Sequence, residues 1–388
     1  MCPSYEKKRI MIIFGTRPEA IKMAPIINEL KKHKEFDTYV CVTGQHRQML
    51  DQVLDVFKIY PDFDLNIMKD QQSLMDVTTR ALEDLDHVIK KAKPDMILVH
   101  GDTTTTFTAS LAAFYNQVAV GHVEAGLRTN HKYSPFPEEI NRKLTSIIAD
   151  LHFTPTEISA NNLRKENILE ETIFVTGNTV IDAQKITIYK DYHHSMFEEI
   201  AGSRLILVTA HRREIFGETM RGIFRAIYRL AERHNDIAVV YPVHFNPAVR
   251  QAARDILGNH PRIHLIDPLD AIDFHNFMAR SYLILTDSGG IQEEAPSLGI
   301  PVLVLRNTTE RPEGIAAGTV KLAGTNAETI YKMVDHLLTD PIAYSKMRKA
   351  KNPYGDGEAS RRIAEAILCY FKLRKERPDP FQSCVSLL

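Results

Sequence analysis

Apolar residues recur along this chain in two patterns: short runs of about four to six without polar alternation, and longer stretches with helical spacing. In the first half the short runs are "RIMIIF", "DTYVCV", "DMILVH", "VAVGHV", "LHFTP" and "TIFVTG", separated by segments such as "MAPIINELKKH" and "TTRALEDLDHVIKKA". The second half repeats the alternation with "RLILVTA", "IAVVYPV", "IHLIDP", "LILTD", "PVLVLR" and "TVKLAG". Strands that do not alternate suit parallel sheets covered on both faces. The pattern therefore predicts an α/β protein of two doubly wound domains, residues 1–180 and 181–365, with 366–388 as a C-terminal helix and tail. The polar stretch "ITIYKDYHHSMFEEIAGS" reads as the linker, and "GEASRRIAEAILCYFKLRK" as a final helix.

Composition adds limits. A chain of 388 residues exceeds one ordinary core and suits two domains. Lysine plus arginine (48) balance aspartate plus glutamate (49), so no overall field favours nucleic acid or an anionic membrane. Any anionic ligand must be met by local cations. Cys2, Cys41, Cys369 and Cys384 show no paired spacing, a reduced, cytoplasmic pattern. The N-terminal "MCPSYEKKRIMIIFG" has too short an apolar run for a signal peptide or a membrane span.

Ligands of doubly wound folds sit outside the carboxyl ends of the strands, and here those ends are polar. They read "HGDTTTT", "GHVEAGLRT", "TAHRRE", "YPVHFNP" and "TDSGGIQEE". In the last of these, Ser288, Gly289 and Gly290 stand where a strand passes into a helix, a place that favours an anion. A plainly capped helix, with Ser288 as cap and Glu293 or Glu294 in its first turn, is the other reading. No G-x-G-x-x-G occurs and no glycine is followed by lysine, which argues against a usual dehydrogenase and against an ATPase.

Arg17 and Lys22 in "FGTRPEAIK", Arg212 and Arg213 in "TAHRRE", and Arg311 are cations placed to meet a diphosphate. Each also has a bland reading as a surface charge paired with a nearby carboxylate, Glu19 in the case of Arg17. His100, Asp102, His122 and Glu124 share strand faces in pairs, which allows a metal site. The alternative is that the histidines lie neutral in the core and only Asp102 and Glu124 reach the ligand. Asp102 has a second reading as the cap of the helix that follows it. Glu138 and Glu139 open another helix, where carboxylates are common for electrostatic reasons alone.

Taken in order, "FGTRPEAIK", "HGDTTTT", "HVEAGLRT", "PFPEEINR", "TAHRRE", "YPVHFNP", "DSGGIQEEAPSLGIPVLVLRNTTERPEG" and "NPYGDGEAS" resemble the bacterial non-hydrolysing UDP-N-acetylglucosamine 2-epimerases. The resemblance implies a glycosyltransferase-B-like architecture, two Rossmann-like domains facing across a cleft. It also implies interconversion of UDP-N-acetylglucosamine and UDP-N-acetylmannosamine without a nicotinamide or metal cofactor, and a homodimer supplying cell-surface polysaccharide or teichoic-acid synthesis. Asp102, Glu124 and Glu138 match the family's catalytic carboxylates, and His211 its catalytic histidine. Arg17, Lys22, His244, Ser288, Gly289, Gly290, Glu294 and Arg311 match nucleotide-sugar contacts, with Phe274 near the uracil. Gln45, Gln48, Glu138, Arg212 and His244 match the region where many members bind a second UDP-N-acetylglucosamine as activator. Ile215 stands where the family commonly has asparagine, and Gln71 where many members carry arginine. A hydrolysing relative or a glycosyltransferase on the same fold are the rival functions.

Overall fold

The computed structural model describes residues 6–44, 47–69, 72–212 and 215–382, with backbone alone for 47–49. The chain divides into two compact units, one drawn from Met1–Lys185 and Gly355–Ser383, the other from Ile186–Tyr354. The division thus falls after Lys185 and after Tyr354 rather than after residues 180 and 365. Residues beyond 354 join the first unit for local reasons. Asp182 accepts the N–H groups of Ala359 (3.3 Å) and Ser360 (2.8 Å), capping the helix Ala359–Tyr370 from outside it. Arg362, buried in that helix, donates to the Thr176 carbonyl at 3.1 Å and pairs with Asp356 at 2.6 Å.

The first unit carries a seven-stranded sheet of β1 (Lys8–Phe14), β2 (Phe36–Val42), β3 (Phe63–Asp64), β4 (Met96–His100), β5 (Ala119–Val123), β6 (Leu151–Thr154) and β7 (Ile173–Val175). Their order is β3-β2-β1-β4-β5-β6-β7, every pair parallel. The second unit has six: β8 (Arg204–Thr209), β9 (Ile237–Pro242), β10 (Ile263–Ile266), β11 (Leu283–Thr286), β12 (Val302–Val304) and β13 (Val320–Leu322). They run β10-β9-β8-β11-β12-β13, again all parallel. Each apolar run picked out above forms a strand. β3, two residues long, is too short to leave a pattern.

Cover on both faces explains the missing alternation. Every residue of β4 and of β11 is buried. On one face of the first sheet, Met11, Ile13, Ile97 and Val99 pack with Val77, Leu85 and Ile89 of the helix Leu74–Ala92. In the second unit, Ile206, Val208 and Tyr241 pack with Ile223, Phe224 and Ile227 of the helix Glu218–Arg233. Fully burying one such side chain stabilises by about 1.5–3 kcal/mol. Among the described residues no helix is long and apolar enough to cross a membrane.

Strand order reverses beside β1 and β4 in the first sheet, and beside β8 and β11 in the second. The connections there leave toward opposite faces, so a crevice opens outside the carboxyl ends. The first such edge is built from Gly15–Thr16 and Gly101–Asp102, the second from Ala210–His211 and Asp287–Ser288. Most of the polar motifs converge on these two edges.

Candidate active site

In the first unit the chain leaves β1 through Gly15 and Thr16 and enters the helix Arg17–Leu30. Glu19 folds back on that turn. One carboxylate oxygen accepts the N–H groups of Gly15 (3.0 Å) and Thr16 (2.8 Å), and the other accepts the hydroxyls of Thr103 (2.8 Å) and Thr106 (3.3 Å). The loops after the two switch-point strands are thereby tied together. Burial raises the Glu19 carboxyl above its ordinary value, against the pull of these donors. The bland pairing of Arg17 with Glu19 is overturned: Glu19 is turned inward on these donors, while Arg17 has no hydrogen bond or ion pair among the described residues.

Lys22, on the same helix, forms an ion pair with Glu124, which also accepts the Asn178 amide at 3.0 Å. Glu124 itself takes a left-handed backbone, φ +61°, immediately after β5. Such strain costs on the order of 1 kcal/mol, and the partners on the side chain hold the residue there. Built on Gly101, a Cβ would lie 3.5 Å from a Glu124 carboxylate oxygen, which brings Glu124 beside Asp102.

Asp102 is gripped by Arg142, with Nε at 2.9 Å and Nη2 at 2.6 Å from the same oxygen. The Asn141 amide donates to the Asp102 carbonyl at 2.9 Å. Asp102 does not cap the following helix. That helix, Thr104–Tyr115, starts on Thr103, whose hydroxyl accepts the Thr106 N–H at 3.2 Å.

Asn141 and Arg142 belong to the helix Glu138–Ile148, which places Glu138 on the same edge as Asp102. The two glutamates that open this helix have different fates. Glu139 is buried and accepts the N–H groups of Thr129 and Asn130, each at 3.0 Å, and an Arg142 contact at 3.2 Å. Burial would raise its carboxyl, but these donors outweigh it and hold Glu139 below the ordinary value. Glu138 Oε2 is buried without a hydrogen-bond partner among the described residues.

Both strand-end histidines are buried. His122 donates from Nε2 to the Gly101 carbonyl at 2.8 Å, and burial pushes its pKa down to about 3. His100 is pushed down to about 4 by burial and stands 3.7 Å from Glu124, too far for a hydrogen bond. Among the described residues no group of three or more His, Cys, Asp or Glu is placed to hold a metal ion. Neutral buried histidines make stability depend on pH. Between the ordinary 6.5 and about 3 the unfolded chain binds a proton that folded His122 refuses, so stability falls as pH drops below 6.5. The slope approaches about 1.4 kcal/mol per pH unit for one such group. The urea midpoint is expected to be lower at about pH 5 than at about pH 7, and His122→Gln to narrow that difference.

In the second unit, Asp287 follows β11 and is fully buried. One of its oxygens accepts the N–H groups of His211 (2.6 Å) and Arg212 (2.8 Å), and the other lies 3.1 Å from His211 Nδ1. Burial would raise the Asp287 carboxyl, but the His211 ring and the two N–H groups hold it below its ordinary value. His211 is exposed and stacks on His244, centroids 5.6 Å apart and planes 15° apart. The Asn246 N–H donates to His244 Nδ1 at 3.1 Å, so that ring is fixed with Nε2 as its free nitrogen. Burial, with His211 beside it, lowers the His244 pKa.

Ser288 stands at the N-cap of the helix Gly289–Ser297, but its side chain makes no capping bond. Its own N–H donates to the Thr286 hydroxyl at 2.9 Å. Glu293 and Glu294 do not serve the first turn either: Glu293 pairs with Arg311, and Glu294 stands 3.3 Å from His275 Nε2. A Cβ on Gly289 would meet Glu310 at 2.9 Å and one on Gly290 would meet Glu294 at 3.1 Å. The opening of this helix thus offers glycine backbone, first-turn N–H groups and a Ser288 hydroxyl without a bond among the described residues, features that suit an anion, with the Glu310 and Glu294 carboxylates beside them. Arg311 and Arg212 stand close by, Arg212 with Glu310 at 3.4 Å. Phe274 is partly buried on the helix Ala271–Ala279.

Gln45 and Gln71 lie outside the described residues, as does Arg213, and Gln48 is placed by its backbone in the helix Arg47–Phe57. Ile215 is a core residue, 3% exposed, so its apolar side chain serves packing. Sequence reasoning passed over Arg142, Asn178 and Asp287, and read Glu19 only as a partner for Arg17. Asp287 follows β11 directly and Asn178 stands three residues after β7, so both were within reach of the strand-end rule. The contact of Arg142 with Asp102 spans forty residues and leaves no local signal.

The family model for UDP-N-acetylglucosamine 2-epimerase matches residues 28–368. The UDP-N-acetylglucosamine 2-epimerase of Bacillus subtilis is 62% identical over 376 residues, covering 97% of this chain and 99% of its own length. A crystal structure of a UDP-N-acetylglucosamine 2-epimerase superposes with a TM-score of 0.92 at 60% identity, over 97% of this chain and all of the other. The Neisseria meningitidis enzyme, solved bound to UDP-N-acetylglucosamine, superposes with a TM-score of 0.84 at 51% identity, over 93% of this chain and all of its own. The two-sheet architecture is that of these epimerases, the glycosyltransferase-B-like class. With a family model matching residues 28–368 and a relative 62% identical over 97% of it, the chain belongs to the UDP-N-acetylglucosamine 2-epimerase family.

Proposed function

We propose that this protein interconverts UDP-N-acetylglucosamine and UDP-N-acetylmannosamine by eliminating UDP to a 2-acetamidoglucal and adding it back. C1 of the sugar is an acetal carbon, so a C2 carbanion has no carbonyl to delocalise into, and direct proton abstraction is unfavourable. Departure of UDP gives C1 oxocarbenium character and acidifies the C2 proton. Reprotonation from the opposite face, with return of UDP, then yields the epimer. Such a route needs carboxylates at the ring for proton transfer and donors that stabilise the departing diphosphate.

The observation that carries this reading is that Asp102 and Glu124 stand side by side at one sheet edge, each held by a cation, with Glu138 opening the helix whose Asn141 and Arg142 bond Asp102. Arg142 and Lys22 pair with Asp102 and Glu124 and fix their directions. Lys22, matched above to the diphosphate, is on this reading also the counter-ion of Glu124. The glycine-lined helix opening and Arg311 serve the diphosphate, Arg17 of the other unit is assigned the same ligand group, and His211 is a further proton-transferring group. A glycosyltransferase has no use for three carboxylates around C2. We further propose that the enzyme acts as a homodimer, checked by light scattering, and supplies N-acetylmannosamine for cell-surface polymers.

Incubation with UDP-N-acetylglucosamine in deuterated water, without acceptor, tests the reaction. The manno epimer carrying deuterium at C2 is the expected product. Free N-acetylmannosamine with UDP would identify a hydrolysing enzyme, and an inert substrate would overturn the reading. Arg17→Ala removes a cation with no hydrogen-bond or ion-pair partner among the described residues, so folding should be unaffected. The fraction of turnovers that release free glucal and UDP should rise roughly tenfold, the scale of one lost charge-assisted contact. Phosphorus NMR of the products measures it, and an unchanged product ratio would remove Arg17 from leaving-group retention.

A further inference from the structure

His211, a proposed catalytic group, has the buried Asp287 carboxylate against its ring nitrogen and backbone. We infer that Asp287 is a positioning residue for His211, fixing the proton on Nδ1 so that Nε2 is the nitrogen that exchanges protons with substrate. The inference rests on the function proposed above. Its structural part stands independently.

Three contacts carry it. Asp287 Oδ2 accepts the main-chain N–H groups of His211 and Arg212 at 2.6 and 2.8 Å, while the buried Oδ1 makes no hydrogen bond of good geometry among the described residues and has His211 Nδ1 3.1 Å away as the donor a small ring rotation would bring to it. The same carboxylate therefore anchors the backbone and presents its second oxygen to the ring. A carboxylate can only accept, so a neutral ring facing it carries its hydrogen on Nδ1 and leaves Nε2 with a lone pair. Asp287 is fully buried while the His211 side chain is 41% exposed, so the acceptor is fixed and the working nitrogen is open to a ligand.

The neighbours do not supply the same constraint. His244 stacks on the ring face, and its own Nδ1 is occupied by the Asn246 N–H. The Arg212 guanidinium is directed to Glu310. Asp287 is the described carboxylate facing Nδ1. It also sits at the switch point of the second sheet, directly before the Ser288–Gly290 cradle, so β11 aligns the histidine and the anion site together.

The test is Asp287→Asn in the full chain. Asparagine keeps one carbonyl oxygen for the two main-chain N–H groups and turns an amide donor toward Nδ1, which would force the hydrogen onto Nε2. Nitrogen NMR of histidine-labelled protein, above the pH where the ring titrates and assigned with His211→Asn, reads the tautomer directly. Wild type is expected to show His211 with hydrogen on Nδ1, and Asp287→Asn with hydrogen on Nε2. In the variant kcat should fall by roughly 10²-fold with KM little changed, the scale of a misdirected general acid–base group. A wild-type ring with its hydrogen on Nε2 overturns the inference without any variant. So does a variant that keeps the wild-type tautomer or turns over within threefold of wild type. Lack of epimerase activity in the wild type would count against the proposed function, while the tautomer measurement would still decide the role of Asp287.

Discussion

Replacing Asp102 by asparagine is expected to lower epimerisation by on the order of 10³-fold while the protein stays folded, and Glu138→Gln to do the same. Positioned proton transfer contributes typically 10²–10⁴-fold, and an amide cannot replace a carboxylate in it. Asparagine preserves the shape of the side chain and an oxygen for Arg142, which bonds Asp102 at 2.6 and 2.9 Å. Arg142 keeps its contact to Glu139 at 3.2 Å, so it is not stranded. Glu138 is the simpler case, since Oε2 has no hydrogen-bond partner among the described residues to lose. The assay is epimer formation with deuterium uptake at C2, beside a thermal melt. Two well-folded variants with wild-type rates would remove these carboxylates from the mechanism.

The largest effect on stability is expected at Gly15. A Cβ there would lie 2.2 Å from Thr43 Oγ1 and 2.5 Å from Thr105 Oγ1. Both threonines are fully buried, and their hydroxyls bond each other at 2.9 Å, so neither can swing away without leaving a polar group unpaired. Gly15→Ala must therefore push the turn outward, loosening the bond from its N–H to Glu19. Overpacking of this kind costs about 1–3 kcal/mol, and the disturbed Glu19 network adds to it. For a unit of this size the melting temperature should drop by roughly 5–10 °C. Combining Gly15→Ala with Thr43→Ala and Thr105→Ala should recover part of the loss, because the atoms the new methyl meets are gone. A Gly15→Ala protein that melts with the wild type would show that the turn yields freely.

Element content was legible in the sequence because a parallel strand buried on both faces must be apolar throughout. "DMILVH" and "LILTD" announce β4 and β11 without reference to any neighbour. The strand-end rule likewise led to Asp102, Glu124, His211 and Ser288, since a doubly wound sheet presents its loops at that edge. What failed were statements about partners. Arg17 beside Glu19 reads as an ion pair, yet Glu19 turns inward to four donors and Arg17 has no partner among the described residues. Asp102 before a threonine run reads as a cap, yet Thr103 takes that place.

By itself the sequence determined the strands, the helices, the motifs and the family, because these depend on local periodicity and on residue order. Tertiary structure alone decided which charge meets which. Lys22 meets Glu124 across about a hundred residues, Arg142 reaches back about forty to Asp102, and Asp287 meets His211 across seventy-six. The reason is physical. The strand order β2-β1-β4 and β9-β8-β11 sets distant loops side by side, and a buried carboxylate then takes whichever donor the sheet delivers, not the one nearest in the chain.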